Sequence, residues 1–170
     1  MVAAILHFIG TVCENGENEN RRGTGGYHMT KAYEFHDSRL IEFMPSDEDL
    51  LISLRAVLLD WPEGLGIGRG TSSIQGIRML FSNASVDGGF TTLPVSLDGG
   101  EFIARMDLLE LKDWPTEFIP ASVSSAQDVE VRFEGTEQTG EFHKCVIRAD
   151  SVRIERFGPA KFVQEFNEED

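Results

Sequence analysis

The sequence predicts a mainly β protein, an antiparallel β-sandwich or distorted barrel with an internal duplication and one amphipathic helix. Three observations carry this. Apolar and polar residues alternate in several runs, most clearly where Val129, Val131 and Phe133 interleave with Asp128, Glu130, Arg132 and Glu134, the pattern of a strand with one wet face. Glycine-rich turns recur at hairpin spacing in Ser85-Val86-Asp87-Gly88-Gly89 and Ser96-Leu97-Asp98-Gly99-Gly100, where Asp-Gly supplies the positive φ of a tight antiparallel turn. Finally, the middle of the chain returns later. Asp60-Trp61-Pro62 matches Asp113-Trp114-Pro115, and with one residue dropped Ser72-Ser73-x-Gln75 meets Ser124-Ser125-x-Gln127, Phe81 meets Phe133, Phe90 meets Phe142 and Asp98 meets Asp150, nine identities in all. Ile77 and Met79 meet Val129 and Val131, so the apolar pattern is repeated too. Two incomplete β faces that close on one another are the usual product of such a repeat.

The elements follow in order. Residues 2–12 are an apolar run with β-branched members and read as a first strand, followed by a polar, glycine-rich loop over 14–26. Residues 27–35 alternate as a second strand, and Asp37-Ser38 is expected to turn the chain into a third over Arg39–Phe43. Pro45-Ser46-Asp47-Glu48-Asp49 then has the features of a helix start, a capping serine and acids at the positive end of the dipole. Leu50, Leu51, Leu54, Val57 and Leu58 recur at helical spacing behind it, with Pro62 and Gly64 as a stop. Each copy of the repeat is expected to hold a hairpin, Ile74–Phe81 with Phe90–Leu97 in the earlier copy and 128–134 with Glu141–Ala149 in the later. Phe102 to Leu111 reads as a strand between them, and Ser151–Phe157 as a last strand that Gly158-Pro159 ends. Phe162 and Phe166 then sit in an acidic tail. The chain is expected to be a single β-rich domain over 1–170, with related sub-units at about 60–98 and 113–150.

Charge limits the function classes. The 170 residues carry a formal net charge of −14, and the acids are spread, ten against five bases in residues 1–60 and sixteen against eight in 101–170. Such a field repels phosphate backbones and anionic membranes and attracts basic proteins. Nucleic acid and membrane are therefore disfavoured partners, and Asp47, Glu48 and Asp49 are the candidate partner-binding acids. No apolar stretch reaches the roughly 18 residues of a membrane span, and the amino-terminal run lacks the basic start and small-residue end of an export signal, so a cytoplasmic location is expected.

No catalytic constellation emerges. His7, His28, His36 and His143 are scattered without HxH or HExxH, and the serine pairs lack a nucleophile elbow. Cys13 and Cys145 read as buried thiols or as one disulfide. His143 and Cys145 share a strand face, but without a second ligand pair no metal and no cofactor is expected. The loop Gly64-Leu-Gly-Ile-Gly-Arg-Gly70 has glycine amides and Arg69 for an anion, yet it follows a helical pattern and precedes a strand, the reverse of a phosphate loop. Gly66, Gly68, Arg69 and Gly70 are nonetheless the candidate ligand-binding residues, because the later copy has a stiff apolar segment there, 118–123. The two tryptophans are expected to fill a hydrophobic corner.

The leading expectation is a non-enzymatic acidic protein-binding module, such as an inhibitor or immunity-type protein for a basic partner. The alternatives are a self-assembling structural subunit of a phage or secretion apparatus, and a small-ligand binder or enzyme with a cleft near Gly64 to Gly70.

Overall fold

A computed structural model of the chain describes residues 30–106 and 114–167. The predicted first strand and loop, Cys13, the end of the 102–111 segment and the last three acids lie outside the described residues. The described residues form eight strands: β1 Lys31–Pro45, β2 Asp49–Asp60, β3 Arg69–Ser82, β4 Ser85–Gly88, β5 Val95–Arg105, β6 Phe118–Pro120, β7 Ser125–Thr136 and β8 Phe142–Asn167. Antiparallel pairing runs β2-β3-β8-β7-β5-β1, and β1 pairs with β2 again, so six strands close into a ring. β6 adds to the start of β1, and β4 adds to β8 beyond the end of β3. The mainly β expectation holds. One sheet closes on itself, which is the barrel form of the expectation.

The core is the sum of the inward halves of these strands. Tyr33, Phe35, Leu40, Ile77, Met79, Phe81, Phe102, Val131, Phe133 and Ile147 are all buried, and Phe35 meets Phe133 edge-to-face at 5.4 Å. Burying each large apolar side chain contributes about 1.5–3 kcal/mol, which is why closure is favoured over an open sheet. Gly100 makes this packing possible. A Cβ there would lie 2.6 Å from the Arg132 carbonyl and 2.8 Å from the Phe35 ring. The Asp98-Gly99-Gly100 segment is therefore interior to β5, with a register shift between Leu97 and Gly99, where the sequence reads a turn.

The amphipathic helix is not formed, and among the described residues there is no helix. Leu50, Ile52, Leu54 and Ala56 point inward from β2 at period two, paired to β1 on one side and β3 on the other. The segment is apolar at both periods, because Leu58 continues the inward face while Leu51, Val57 and Leu59 populate the opposite one. Leucine and alanine favour helix locally, but two full ladders and burial on both faces outweigh a per-residue preference of a few tenths of a kcal/mol. Ser46, read as a helix cap, instead donates its amide to the Asp49 carbonyl at 2.8 Å in the β1–β2 turn.

Two predicted breaks are bulges inside longer strands. Asp37 takes a φ of 61°, and Ser38 donates its hydroxyl to the Glu34 carbonyl at 2.5 Å while accepting from the Val57 amide at 2.9 Å, so β1 continues past the expected turn. Gly158-Pro159 does not end β8 either. There Gln75, 5% exposed, donates its side-chain amide to the carbonyls of Phe157 at 2.9 Å and Gly158 at 3.0 Å. These bonds satisfy carbonyls that the register shift removes from the β3–β8 ladder.

The repeat is kept as a pattern and not as a pairing scheme. Phe81 and Phe133 are both fully buried, and β3 and β7 flank β8 on its two sides. The later hairpin forms as expected from β7 and β8. The earlier one does not. β3 pairs with β2 and β8, and Val95–Leu97 belongs to β5, which pairs with β7 and β1. Equivalent inward residues suit either neighbour, and chain closure selects the neighbour.

Candidate functional site

The ring is filled by its own side chains, so a ligand would have to bind outside it. A strongly apolar exterior region comes from the parity of β2. Val57, Leu59 and Trp61 face away from Leu50, Ile52, Leu54 and Ala56, and with Ala32 they form a second buried cluster, against which Ile74, Phe118 and Phe166 pack. Trp61, 2% exposed, is the centre of it, with edge-to-face contacts to Phe118 at 6.0 Å and Phe166 at 5.7 Å. Trp114 packs against the same cluster and donates its indole N–H to the Phe118 carbonyl at 2.8 Å. The two tryptophans of the repeated tripeptide thus share one corner, and both are structural.

A groove of about 370 Å³ opens beside this corner, lined by Leu59, Trp61, Ile74, Val163 and Phe166, with Glu34 and Asp37 among its polar groups. β8 borders it. From Gly158 to Glu165 every residue of β8 is exposed, with Phe162 at 65% and Val163 at 52%. This stretch pairs with the start of β3 on one side and with no strand on the other among the described residues. A second cleft of about 440 Å³ carries Ser122, Ser124, Ser125, Arg105 and Arg153. Its arginines are committed within the chain, Arg105 to Asp128 at 3.0 Å and Arg153 to Glu155 at 3.0 Å, which leaves little for an anion.

The residues singled out in the sequence fall at opposite ends of β2. Gly66 and Gly68, with φ of 68° and 67°, serve the turns of the β2–β3 connection, where the Gly64 amide donates to the Trp61 carbonyl and the Ile67 amide to the Gly64 carbonyl. Arg69 is exposed at the start of β3. Gly70 lies under Phe166, whose ring a Cβ would approach to 2.4 Å. Asp47, Glu48 and Asp49 are exposed in the β1–β2 turn. At ~3.3 Å per residue the twelve residues of β2 separate the two sets by roughly 36 Å, so they do not form one site.

The structure also assembles a group that the sequence reading passes over. The inward alternation of β7 runs Val129, Val131, Phe133, Gly135 and reaches Glu137 at the mouth of the barrel, while that of β8 runs back from Cys145 through His143 to Glu141. The three-residue loop 138–140 closes this hairpin, with the Glu137 amide donating to the Glu141 carbonyl at 2.9 Å. Glu137 is a buried acid. Its carboxylate accepts from the Thr92 hydroxyl at 2.7 Å and from the Thr91 hydroxyl and amide. Those bonds, the Thr92 hydroxyl first, outweigh desolvation and hold its carboxyl down at about 2. Cys145 stays in the core as a free thiol that burial raises to about 11, and its sulfur is not among the ligand atoms that converge with His143. The legible signal for this group is the parity of Glu137 and Glu141 with the core.

No family model, characterised protein or solved structure matches this chain. Among the described residues no helix is long and apolar enough to cross a membrane, which says nothing of a β-barrel.

Proposed function

We propose that this chain is a non-enzymatic binding module that engages a basic partner protein, as an inhibitor or immunity-type protein does, with the exposed end of β8 as the contact. The observation that carries this is the strand from Gly158 to Glu165, paired on one side, exposed throughout, and bearing Phe162 and Val163 beside an apolar groove. An unpaired edge with outward apolar side chains is a template for an added strand, and proteins usually blunt such edges unless a partner uses them. Charge supplies the sign of that partner. Lys31, Arg105, Arg132, Lys144, Arg148 and Arg153 are each already held by a carboxylate of this chain, so the surplus acids, including Asp47, Glu48 and Asp49, set the outward field.

The same edge suits a second copy of the chain, which is the self-assembling alternative, and the groove beside Gly70 suits a small ligand. One experiment separates the three. The full chain, a Phe162→Asp/Val163→Asp variant and an Asp47→Asn/Glu48→Gln/Asp49→Asn variant are used as bait in native lysate at low and high salt, with light scattering on each. A single basic protein that the wild type retains, and that salt and the β8 variant release, supports the proposal. A homo-oligomer dispersed by the β8 variant supports assembly. A monomer whose captured proteins are the same for all three baits sinks the β8 contact and leaves the groove as the reading to test.

A further inference from the structure

We propose that Glu137, Glu141 and His143 bind a divalent transition-metal ion, with zinc the best fit, at the mouth of the β7–β8 hairpin. One ligand atom from each residue lies within 4.8 Å of the others. The His143 Nε2 atom is withdrawn from solvent and has no hydrogen-bond partner. It faces a Glu137 oxygen at 3.7 Å and a Glu141 oxygen at 3.5 Å. Both separations are too long for an N–H···O bond, which lies at about 2.7–3.2 Å. They are close to the edge of a tetrahedron around zinc, about 3.3–3.4 Å for bonds of about 2.0–2.1 Å. A buried ring nitrogen opposite two carboxylate oxygens at that spacing has its partner supplied by a shared cation.

The surroundings are those of a held ligand set. The Thr91 and Thr92 hydroxyls donate to the Glu137 carboxylate and fix it from behind. The His143 ring packs edge-on against Phe90 with centroids 6.4 Å apart, which limits its rotation. Glu141 is the adjustable member, its side chain 70% exposed and free to close the last few tenths of an ångström. Imidazole in the set favours zinc and its neighbours over calcium or magnesium, which take six or more oxygens. Three protein ligands leave one tetrahedral position for water or for a donor from outside the chain. The ion would tie the hairpin mouth to the Thr91–Thr92 segment, independently of how β8 is used.

The test is calorimetric titration of the chelator-treated full chain with Zn²⁺, repeated with Co²⁺ for its visible absorption. The expected result is saturable binding of one equivalent at this corner, with a tetrahedral Co²⁺ band. His143→Gln should abolish it, Glu141→Gln should weaken it at least tenfold, and Thr92→Val should weaken it several-fold by releasing Glu137. Glu141 is exposed, so its variant separates lost ligation from lost folding. Absence of saturable binding to the wild type, or an affinity equal to wild type in the His143→Gln and Glu141→Gln chains, would overturn the proposal.

Discussion

Replacing Trp61 by alanine tests the corner on which the groove and the end of β8 depend. The indole is 2% exposed, and its removal takes away on the order of 150 Å² of buried apolar surface, about 4 kcal/mol at ~25 cal/mol per Å². The edge-to-face contacts with Phe118 and Phe166 add about 0.5–1.5 kcal/mol each. Against this, Phe166 sits near the end of an exposed strand and can move into part of the void, which offsets the cavity cost. The backbone bond from the Trp61 amide to the Thr30 carbonyl at 2.7 Å is untouched. Movement of Phe166 into the void recovers much of the ring-contact term as well, and the expected net loss is about 4–5 kcal/mol, at the upper end for large aromatic truncations. Urea unfolding followed by far-ultraviolet circular dichroism would read it as a lower midpoint at unchanged slope. Trp114→Ala, at a half-buried site with one indole hydrogen bond, should cost about half as much, on the order of 2 kcal/mol. A loss below about 1 kcal/mol for Trp61→Ala would refute the assignment of this cluster as a true second core.

Other expectations follow from the same structure. Gly76→Ala should cost about 1–3 kcal/mol in the same unfolding assay, because its Cβ would lie 2.7 Å from the Phe157 carbonyl, and backbone cannot step aside as a side chain can. Gly66→Ala meets no atom within 4 Å and should cost only the roughly 1–2 kcal/mol of its left-handed φ. Glu137 titrates lower in the folded chain than its ordinary 4.5, so its contribution is fully present above that value and lost as pH falls toward about 2. A thermal-melt series across that window should show Glu137→Gln removing part of the acid slope, and an unchanged slope would mean that the threonine cradle does not form. Cys145, raised to about 11, should resist alkylation at pH 8 until the chain unfolds, as site-resolved mass spectrometry would report.

The β class, the strand faces and most of the core were legible in the sequence because alternation is local. Val129, Val131 and Phe133 each stand between two polar residues and read inward, and Phe81 and Phe133 correspond through the repeat without any knowledge of pairing. The segment Leu50 to Leu59 was not legible. It satisfies both helical and strand periods, and only the ladders of β1 and β3 on its two sides decide between them. The same holds for Asp37-Ser38 and Gly158-Pro159. Each carries a turn signal in composition, and each is a bulge because Ser38 and Gln75 supply the hydrogen bonds that let the strand continue.

The glycines of 64–70 have the composition of a ligand loop, yet two of them serve turns and one makes room for Phe166, ninety-six positions along the chain from Gly70. The cluster of Glu137, Glu141 and His143 is hidden in the sequence for the opposite reason, since nothing in its local composition marks it. What the sequence by itself determined was which residues face in and which face out, a property of each strand alone. What only the tertiary structure decided was which strands are neighbours, and with that where the apolar groove opens, which edge of β8 is left unpaired among the described residues and which three side chains meet at the barrel mouth. Pairing is set by closure over long sequence separations, where the free energy comes from burial shared between distant segments and no short window contains it.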